Sequence, residues 1–435
     1  MAHRYDYQVD FKDLEVAYTA RDCLTGDDGT RTSGSSEVDK EKHREVRLSS
    51  VDDKITRSVP VKRPGTSRFG IQRLASRLSH PGSWKGIQES LTEAIEKGRF
   101  ELATKYDGKR AKLKTADGNL IDTMCVDRRT MSLDGTQSGA RGDFLMICCE
   151  GNSCFYEIGN MTIALTAGFS AFGWNTPGFC CSTGVPEPEQ VRRAIDTVMQ
   201  YALNVLQFDE ANIVLFGYSI GGYPATWAAT QYPKIRGLFL DACFDELLPL
   251  VQLHLQGKMN SLTEMVLKNQ DTNLNIAELL KRYRGPVTIV RRDRDNIIGK
   301  NAGGSSGYVN HTNRLLKSLL VSRYPDIVNK DTFPILEEWL NLYDATQAHL
   351  LEHFHVKCPV CPAFLDDYLR EHCREPEMDF PALIGKEWDL EMREHVTLYL
   401  ANRHLKTFSG DHVSYLPSRL LQLPWDPSRV FSKRS

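Results

Sequence analysis

Apolar and polar positions along this chain show two patterns, one typical of strands and one typical of helices, and the two patterns alternate. From Arg110 onward, the segment AKLKTADGNLIDTMCVDRR predicts two strands joined at Asp117–Gly118, a dipeptide typical of hairpin turns. Runs of apolar and β-branched residues predict further strands at 144–149, 168–174, 213–216, 235–240 and 287–292.

Between these strands, apolar residues recur every three or four positions, which predicts helices. The clearest helix is predicted at 189–206, with a buried stripe formed by Val191, Ala194, Ile195, Val198, Ala202 and Val205. Other helices are predicted up to Ala167, up to Tyr232 and within 246–283. Strands that alternate with helices indicate an α/β fold with a mostly parallel central sheet and helices on both faces.

The N-terminal part of the chain lacks this alternation. Residues 1–67 are predicted to be disordered or loosely ordered, because 20–67 are rich in Ser, Thr, Gly, Asp and Lys and poor in aromatic residues. Residues 68–105 are predicted to form a basic amphipathic helical lead-in. Its first part, 68–84, either contacts an anionic membrane surface or packs on the main domain with a solvated basic face.

The main domain is predicted to span 106–428. Within it, the helices of 246–283 form either a cap over an active site or a layer that covers the sheet, and periodicity fits both. The segment 303–379 is predicted to be a variable insertion.

Composition and charge narrow the classes of function. The chain has 435 residues and a formal net charge of −2, so nucleic acid is not an expected partner. The sequence contains no run of 18 apolar residues, so no membrane-spanning helix is predicted. Charges at the start of the sequence argue against a secretory signal. The protein is therefore expected inside the cell, with its eleven cysteines acting mainly as small core residues.

Candidate chemistry begins at Gly217-Tyr218-Ser219-Ile220-Gly221, between a predicted strand and a predicted helix. Alone, the G-x-S-x-G pattern is weak, because it is expected by chance in roughly one in seven chains of this length. A strand before it and a helix after it are the setting of a nucleophile elbow, in which the serine stands on a sharp turn. The alternative is a glycine-rich turn without catalysis.

A serine nucleophile needs a base and an acid, which follow it along the chain in this fold. Asp293 and Asp295 both come just after the strand 287–292. His412 lies in a loop near the C-terminus, whereas His395 and His404 lie in a helical stretch and are expected to be surface or packing residues.

Backbone amides are expected to hold the negative oxygen of the reaction intermediate. The amide of Ile220 follows the serine at the start of a helix, and the loop 150–152 follows the third strand of the domain. These two places are the predicted oxyanion hole.

His353, His355, Cys358 and Cys361 form an H-x-H-x-x-C-x-x-C pattern that can hold tetrahedral zinc. The alternative is a variable loop with incidental Cys and His, since prolines interrupt it and no second C-x-x-C is present. No metal or organic cofactor is expected for the reaction.

Several stretches together resemble the phosphatidylserine lipases among the α/β-hydrolase-domain proteins. They are YDGKRAKLKTADGNLIDTMCVDRR, CCEGNSCFYEIG, GWNTPGFCCSTGVP, YSIGGYPATWAATQYP, LDACFDELLPL, GPVTIVRRDRDNII, DHVSYLP and LPW. The resemblance covers about residues 68–428 and implies an α/β-hydrolase fold with serine hydrolase activity on phospholipids of intracellular membranes.

The resemblance also implies roles for individual residues. It identifies Ser219 as the nucleophile, Asp295 rather than Asp293 as the acid, and His412 as the base. It favours the Asn152 amide, beside Gly151, as the partner of Ile220 in the oxyanion hole. Membrane-anchored members carry hydrophobic N-terminal segments that this sequence lacks, so we expect either a soluble paralogue or membrane contact through 68–84.

The leading hypothesis is a serine hydrolase that cleaves an acyl ester of a glycerophospholipid, with phosphatidylserine implied by the resemblance. Two alternatives keep the catalytic residues and change the substrate, to a monoacylglycerol or to an acyl thioester. A third is a non-catalytic hydrolase-fold module that binds a lipid or a protein. The expected location is cytoplasmic, including peripheral contact with the endoplasmic reticulum membrane.

Overall fold

The strands of the protein define one large sheet. The computed structural model describes residues 80–129, 141–255, 273–301, 308–342, 344–353 and 380–425, together with short N-terminal strands at 4–5, 7–10 and 21–22. The strands are β1 (Arg4–Tyr5), β2 (Tyr7–Asp10), β3 (Arg21–Asp22), β4 (Lys109–Lys114), β5 (Leu120–Val126), β6 (Leu145–Cys149), β7 (Ser170–Trp174), β8 (Ile213–Tyr218), β9 (Gly237–Asp241), β10 (Val287–Arg292), β11 (Gly299–Asn301), β12 (Tyr308–Asn310) and β13 (Leu405–Phe408).

Nine of these strands pair in the order β13-β10-β9-β8-β6-β7-β5-β4-β2. Only β5 runs antiparallel to its neighbours β4 and β7, and the remaining pairs are parallel. An antiparallel strand early in the domain, followed by an exchange of β6 and β7, is the strand order of the α/β-hydrolase fold. The predicted fold class is therefore confirmed.

Ten α-helices are described around the sheet. They are α1 (Lys85–Lys105), α2 (Met161–Thr166), α3 (Pro188–Asn204), α4 (Gly222–Gln231), α5 (Leu247–Leu255), α6 (Ile276–Arg282), α7 (His311–Arg323), α8 (Phe333–Asn341), α9 (Asp344–His353) and α10 (Leu390–His404). The predicted hairpin is present as β4 and β5, and the predicted helix 189–206 is present as α3.

Helices cover both faces because the central strands are apolar on both. Every residue of β6 and β8 is buried. Alternate side chains enter different cores: Leu145 and Ile147 belong to one cluster, whereas Met146 and Cys148 belong to the other. This two-sided burial is what a parallel sheet between helical layers requires. The thiols of Cys125, Cys148, Cys149 and Cys243 are free and buried, in accord with their predicted role as core residues.

The described parts of 246–283 and 303–379 contribute to the core. Helix α6 packs between α4 and α7, with Ile276, Leu279 and Leu280 buried. Helix α7 packs on β10 through buried leucines. Residues 256–272, 302–307 and 354–379 lie outside the described residues, so the cap and the variable insertion stay predictions.

A buried set of charges attaches α1 to the rest of the domain. Arg99 of α1 contacts Glu157 at 2.5 Å and Asp122 of β5 at 3.9 Å. Arg110 of β4 donates to both carboxylate oxygens of Asp122, at 2.8 and 2.9 Å. Asn175 donates to the second carboxylate oxygen of Glu157 at 3.1 Å. The predicted lead-in, from residue 85 onward, therefore ends in a helix whose charged side chain is part of the domain interior, while 68–79 lie outside the described residues.

We expect Arg99→Met to lower the free energy of unfolding by about 3–5 kcal/mol, because Glu157 is left in the interior without its cation. The matched control is Lys109→Met, which removes an ion pair with Asp107. The side chain of Lys109 is 52% exposed and that of Asp107 is 75% exposed. That change should cost less than about 1 kcal/mol. Urea denaturation of the two variants measures the difference, and equal losses would contradict the role of the buried pair.

Candidate active site

The turn after β8 places Ser219 at the carboxyl edge of the sheet. Its backbone φ is 53°, in the left-handed region that side chains other than glycine rarely adopt. A 3-10 turn over Ser219–Gly221 follows, and α4 begins directly after it. Holding a non-glycine residue in this conformation costs about 1–3 kcal/mol, so the surrounding structure must stabilise the turn.

Glycine is required next to Ser219 by close backbone contact. A Cβ atom on Gly221 would lie 2.1 Å from the carbonyl oxygen of Cys149 in β6. A Cβ atom on Gly217 would lie 2.7 Å from the Cα atom of Gly222. The glycines of the sequence pattern thus let the turn pass directly against β6, which is the geometry expected of a nucleophile elbow.

The three residues of the predicted triad lie in hydrogen-bonding contact. His412 Nε2 is 3.0 Å from Ser219 Oγ, and His412 Nδ1 is 2.8 Å from Asp295 Oδ2. The other oxygen of Asp295 accepts hydrogen bonds from the amides of Ile297 and Ile298, both at 2.9 Å. These amides fix the orientation of the carboxylate, which in turn can hold one tautomer of the imidazole.

The other candidates from the sequence lie elsewhere. Asp293 Oδ1 accepts a hydrogen bond from the amide of Gly410 at 3.0 Å. This aspartate therefore holds the loop that carries His412, which we call the histidine loop. His395 and His404 belong to α10. His404 is buried with Nδ1 at 2.9 Å from the carbonyl oxygen of Val287, and burial lowers its pKa to about 3, so it is a neutral packing residue.

A buried arginine that the sequence analysis did not single out holds the histidine loop. Nη1 of Arg292 donates to the carbonyl oxygens of Asp411, His412 and Ser414, at 3.1, 2.5 and 2.6 Å. Its Nε and Nη2 donate to the two carboxylate oxygens of Asp241, at 3.0 and 2.6 Å. The position of His412 is therefore determined by a side chain at the end of β10.

Tyr218, the residue before the serine, supports the same loop. Its hydroxyl donates to the carbonyl oxygen of His412 at 2.6 Å, and the two rings lie 5.3 Å apart. Burial raises the pKa of Tyr218, so the phenol keeps its proton and remains a donor at neutral pH. Arg292 and Tyr218 are polar residues at the ends of buried strands, so the sequence indicates that they need hydrogen-bond partners. It does not identify those partners.

Two of the predicted oxyanion residues, Gly151 and Ile220, line a cleft next to Ser219. A Cβ atom on Gly151 would lie 3.4 Å from the Cβ atom of Ser219. Asn152 follows in the loop, and its side-chain oxygen accepts from the amide of Gly82 at 3.4 Å. The cleft is lined by His80, Glu150, Gly151, Thr176, Phe179, Pro186, Pro188, Val191, Ile220, Gly221, Tyr223, Pro224 and Leu274.

Glu150, whose loop was predicted but whose carboxyl group was given no role, lines this cleft and is buried. One oxygen accepts from the backbone amide of Asn160 at 2.8 Å, and the other accepts from the Asn160 side chain at 3.0 Å. Burial raises the pKa of Glu150 to about 8, and the nearby carboxylate of Glu157 adds to the rise. At neutral pH most molecules therefore carry a proton here, directly before Gly151.

Within the described ranges, no group of three or more His, Cys, Asp or Glu side chains is arranged to hold a metal ion. Of the predicted zinc pattern, His353 ends α9, whereas His355, Cys358 and Cys361 lie outside the described residues. Zinc binding stays a prediction. No helix in the described part of the chain is both long and apolar enough to cross a membrane.

We expect Gly151→Ala to lower kcat by roughly 10²-fold, because its Cβ would lie 2.7 Å from the Tyr218 ring and displace the groups around Ser219. Hydrolysis of a soluble short-chain ester measures the loss, with circular dichroism as a check on folding. Gly86→Ala is the control, since a Cβ atom there meets nothing within 4 Å. Full activity in the Gly151 variant would contradict the tight fit.

The raised pKa of Glu150 predicts a pH dependence of stability. The folded protein keeps a proton that the unfolded chain releases between its usual pKa of 4.5 and about 8. The free energy of unfolding should therefore fall as pH rises through that window and level off above it. Glu150→Gln removes this dependence, so its stability relative to the wild type should rise from pH 5 to pH 8. Parallel denaturation profiles for the two proteins would contradict the assignment.

The sequence is similar to those of several known proteins. No known family model matches the chain. Phosphatidylserine lipase ABHD16A of Homo sapiens is 38% identical over 361 residues, which cover 83% of this chain and 62% of that protein. The ABHD16A protein of Rattus norvegicus gives the same values. The uncharacterized protein F37A4.1 of Caenorhabditis elegans is 31% identical, over 83% of this chain and 66% of that protein.

Similarity to solved structures is looser. The Pyrococcus furiosus esterase Pf2001 matches with a TM-score of 0.38 and 12% identity, over 53% of this chain and 80% of that chain. The chain spans 62% of the length of the curated lipases it matches. The chain therefore has the strand order of the α/β-hydrolase fold and is similar in sequence, over 83% of its length, to the mammalian phosphatidylserine lipases ABHD16A.

Proposed function

We propose that the protein is a serine hydrolase that cleaves an acyl ester of a glycerophospholipid into a lysophospholipid and a fatty acid. The observation that carries the proposal is the continuous row from Ser219 through His412 to Asp295, with contacts of 3.0 and 2.8 Å at the carboxyl edge of the sheet. The name of the mammalian relatives, phosphatidylserine lipase, supports phosphatidylserine as the substrate.

The first step is acyl transfer to the enzyme. His412 Nε2 accepts the hydroxyl proton of Ser219 while the oxygen attacks the ester carbonyl. The carboxylate of Asp295 keeps the proton of the imidazole on Nδ1 and stabilises the imidazolium that forms. The negative charge of the tetrahedral intermediate is held by the amide of Ile220 and by amides of the Gly151–Asn152 loop.

Collapse of the intermediate breaks the bond to the glycerol oxygen. His412 returns its proton to that oxygen, and the lysophospholipid leaves with the acyl group still on Ser219. A water molecule, deprotonated by the same imidazole, then attacks the acyl-serine and releases the fatty acid. These steps require no metal or organic cofactor.

The lining of the cleft supports a lipid ester as the substrate. Phe179, Pro186, Val191 and Leu274 give the cleft apolar walls where Gly151 and Ile220 border it, a lining typical of sites for apolar groups. A monoacylglycerol or an acyl thioester fits the same walls and uses the same chemistry, so both remain alternatives. The complete row of catalytic groups disfavours a non-catalytic binding module. Cytoplasmic location and peripheral membrane contact are part of the proposal.

A fluorophosphonate probe should label the wild type and leave Ser219→Ala unlabelled. Phosphatidylserine hydrolysis should fall by roughly 10⁴- to 10⁶-fold in this variant, and His412→Ala should lose a comparable factor because the residues act as a unit. Ser90→Ala is the control, since this serine lies on the exposed face of α1. Equal labelling of the wild type and Ser219→Ala would exclude Ser219 as the nucleophile.

Product analysis distinguishes the alternatives. Mass spectrometry of the reaction should show lysophosphatidylserine and fatty acid in equal amounts. Faster turnover of a monoacylglycerol or an acyl thioester would identify that compound as the substrate and leave the proposed mechanism unchanged. Lipid binding without turnover, unchanged by His412→Ala, would support the binding module instead.

A further inference from the structure

Large apolar side chains are exposed beside the catalytic residues. Ile297 is 47% exposed, Val413 is 80% exposed and Tyr415 is 59% exposed. Each lies within three residues of Asp295 or His412 in sequence. We refer to these three side chains as the apolar rim.

The rim belongs to one surface, because its two loops are bound to each other. The amide of Arg294 donates to the carbonyl oxygen of Gly410 at 3.1 Å. The amide of Gly410 donates to the carboxylate of Asp293 at 3.0 Å. The strands that precede the loops, β10 and β13, are neighbours in the sheet. Adjacent exposed apolar side chains indicate an interaction site, whereas single ones do not.

The backbone beneath the rim cannot turn these side chains inward. Arg292 holds the carbonyl oxygens on both sides of Val413, and the amide of Ile297 is bound to Asp295. Burial of the rim within the chain itself would therefore break contacts that position His412 and Asp295. Among the described residues, this apolar surface therefore stays exposed.

We propose that the apolar rim is the surface with which the enzyme inserts into a phospholipid bilayer that contains anionic lipid. This inference rests on the proposed function, because the substrate named there resides in a bilayer. The side chain of Arg294 in the same loop is 72% exposed; its Nε lies 3.7 Å from Asp293 Oδ1, and its other nitrogens can reach lipid phosphates. The exposed carboxylate of Asp411 accepts a hydrogen bond from the hydroxyl of Ser414 at 2.6 Å. Tyr415 suits the boundary between headgroups and acyl chains.

A bilayer fits this position better than a protein partner does. The rim lies next to the residues that react with the substrate, so a protein seated there would cover the entrance. Insertion of the rim instead lets an acyl chain pass from the leaflet into the cleft without crossing water. Transfer of the chain through water would lose the favourable burial of its methylene groups.

The test uses the double variant Val413→Gln, Tyr415→Gln and the control double variant Phe100→Gln, Leu383→Gln. The control residues are 54% and 71% exposed and belong to α1 and to the segment before α10, so both variants remove similar apolar surface from different elements. Each pair is made in the full chain with Ser219→Ala for binding and with Ser219 intact for activity. Binding is measured by co-sedimentation with vesicles of phosphatidylcholine and phosphatidylserine in equal parts.

The rim variant should bind these vesicles about tenfold more weakly than the parent, while the control variant binds as the parent does. With Ser219 intact, hydrolysis of vesicle phosphatidylserine should fall with binding, whereas hydrolysis of a soluble short-chain ester should stay unchanged. The unchanged ester activity also shows that the variant is folded.

Three results would overturn the inference: no vesicle binding by the parent, an equal loss in the control variant, or undiminished binding by the rim variant. The last result would assign membrane contact to another part of the chain, such as 68–84. Failure of the proposed function appears differently, as absence of Ser219-dependent ester hydrolysis in every variant, and vesicle binding still tests the rim in that case.

Discussion

The ion pair between Arg292 and Asp241 is the interaction on which the geometry of the site depends. Both side chains are almost completely buried, so neither charge is stable there without the other. Asp241 at the end of β9 uses two nitrogens of the guanidinium, and Nη1 is left to hold three carbonyl oxygens of the histidine loop. Because β9 and β10 are adjacent parallel strands, this ion pair fixes the loop of His412, and with it the imidazole, relative to the sheet.

A second set of buried charges performs a similar task on the opposite side of the elbow. Arg99 and Arg110 neutralise Glu157 and Asp122 beside the loop that carries Gly151. Ser219 lies between the two sets, on a turn whose strained backbone requires support from both directions. The first set holds the loop of His412, and the second lies in and beside the segment that follows Gly151.

Strands β4–β10 and helix α3 were predictable from local pattern, and so was the chain order of Ser219, an aspartate and His412; β2, β13 and α7–α9 were not predicted. Spacing could not choose between Asp293 and Asp295, because both follow the same strand and their directions depend on the turn between them; the family resemblance favoured Asp295. The role of Arg292 was not predictable, since its partners are 51 and 120 residues away along the chain. The loop 150–152 was recognised for its amides, but burial of the Glu150 carboxyl depends on α2, which packs there only in the folded protein.

Helix α1 precedes the hairpin of β4 and β5, yet its Arg99 is the cation that balances Glu157. The predicted domain boundary lies at residue 106, where the sequence pattern changes. The ion pair between Arg99 and Glu157 joins residues on opposite sides of that boundary. Detachment of α1 would expose an uncompensated carboxylate in the segment that leads from Gly151 to α2. Loosening of α1 would therefore destabilise the segment that follows Gly151.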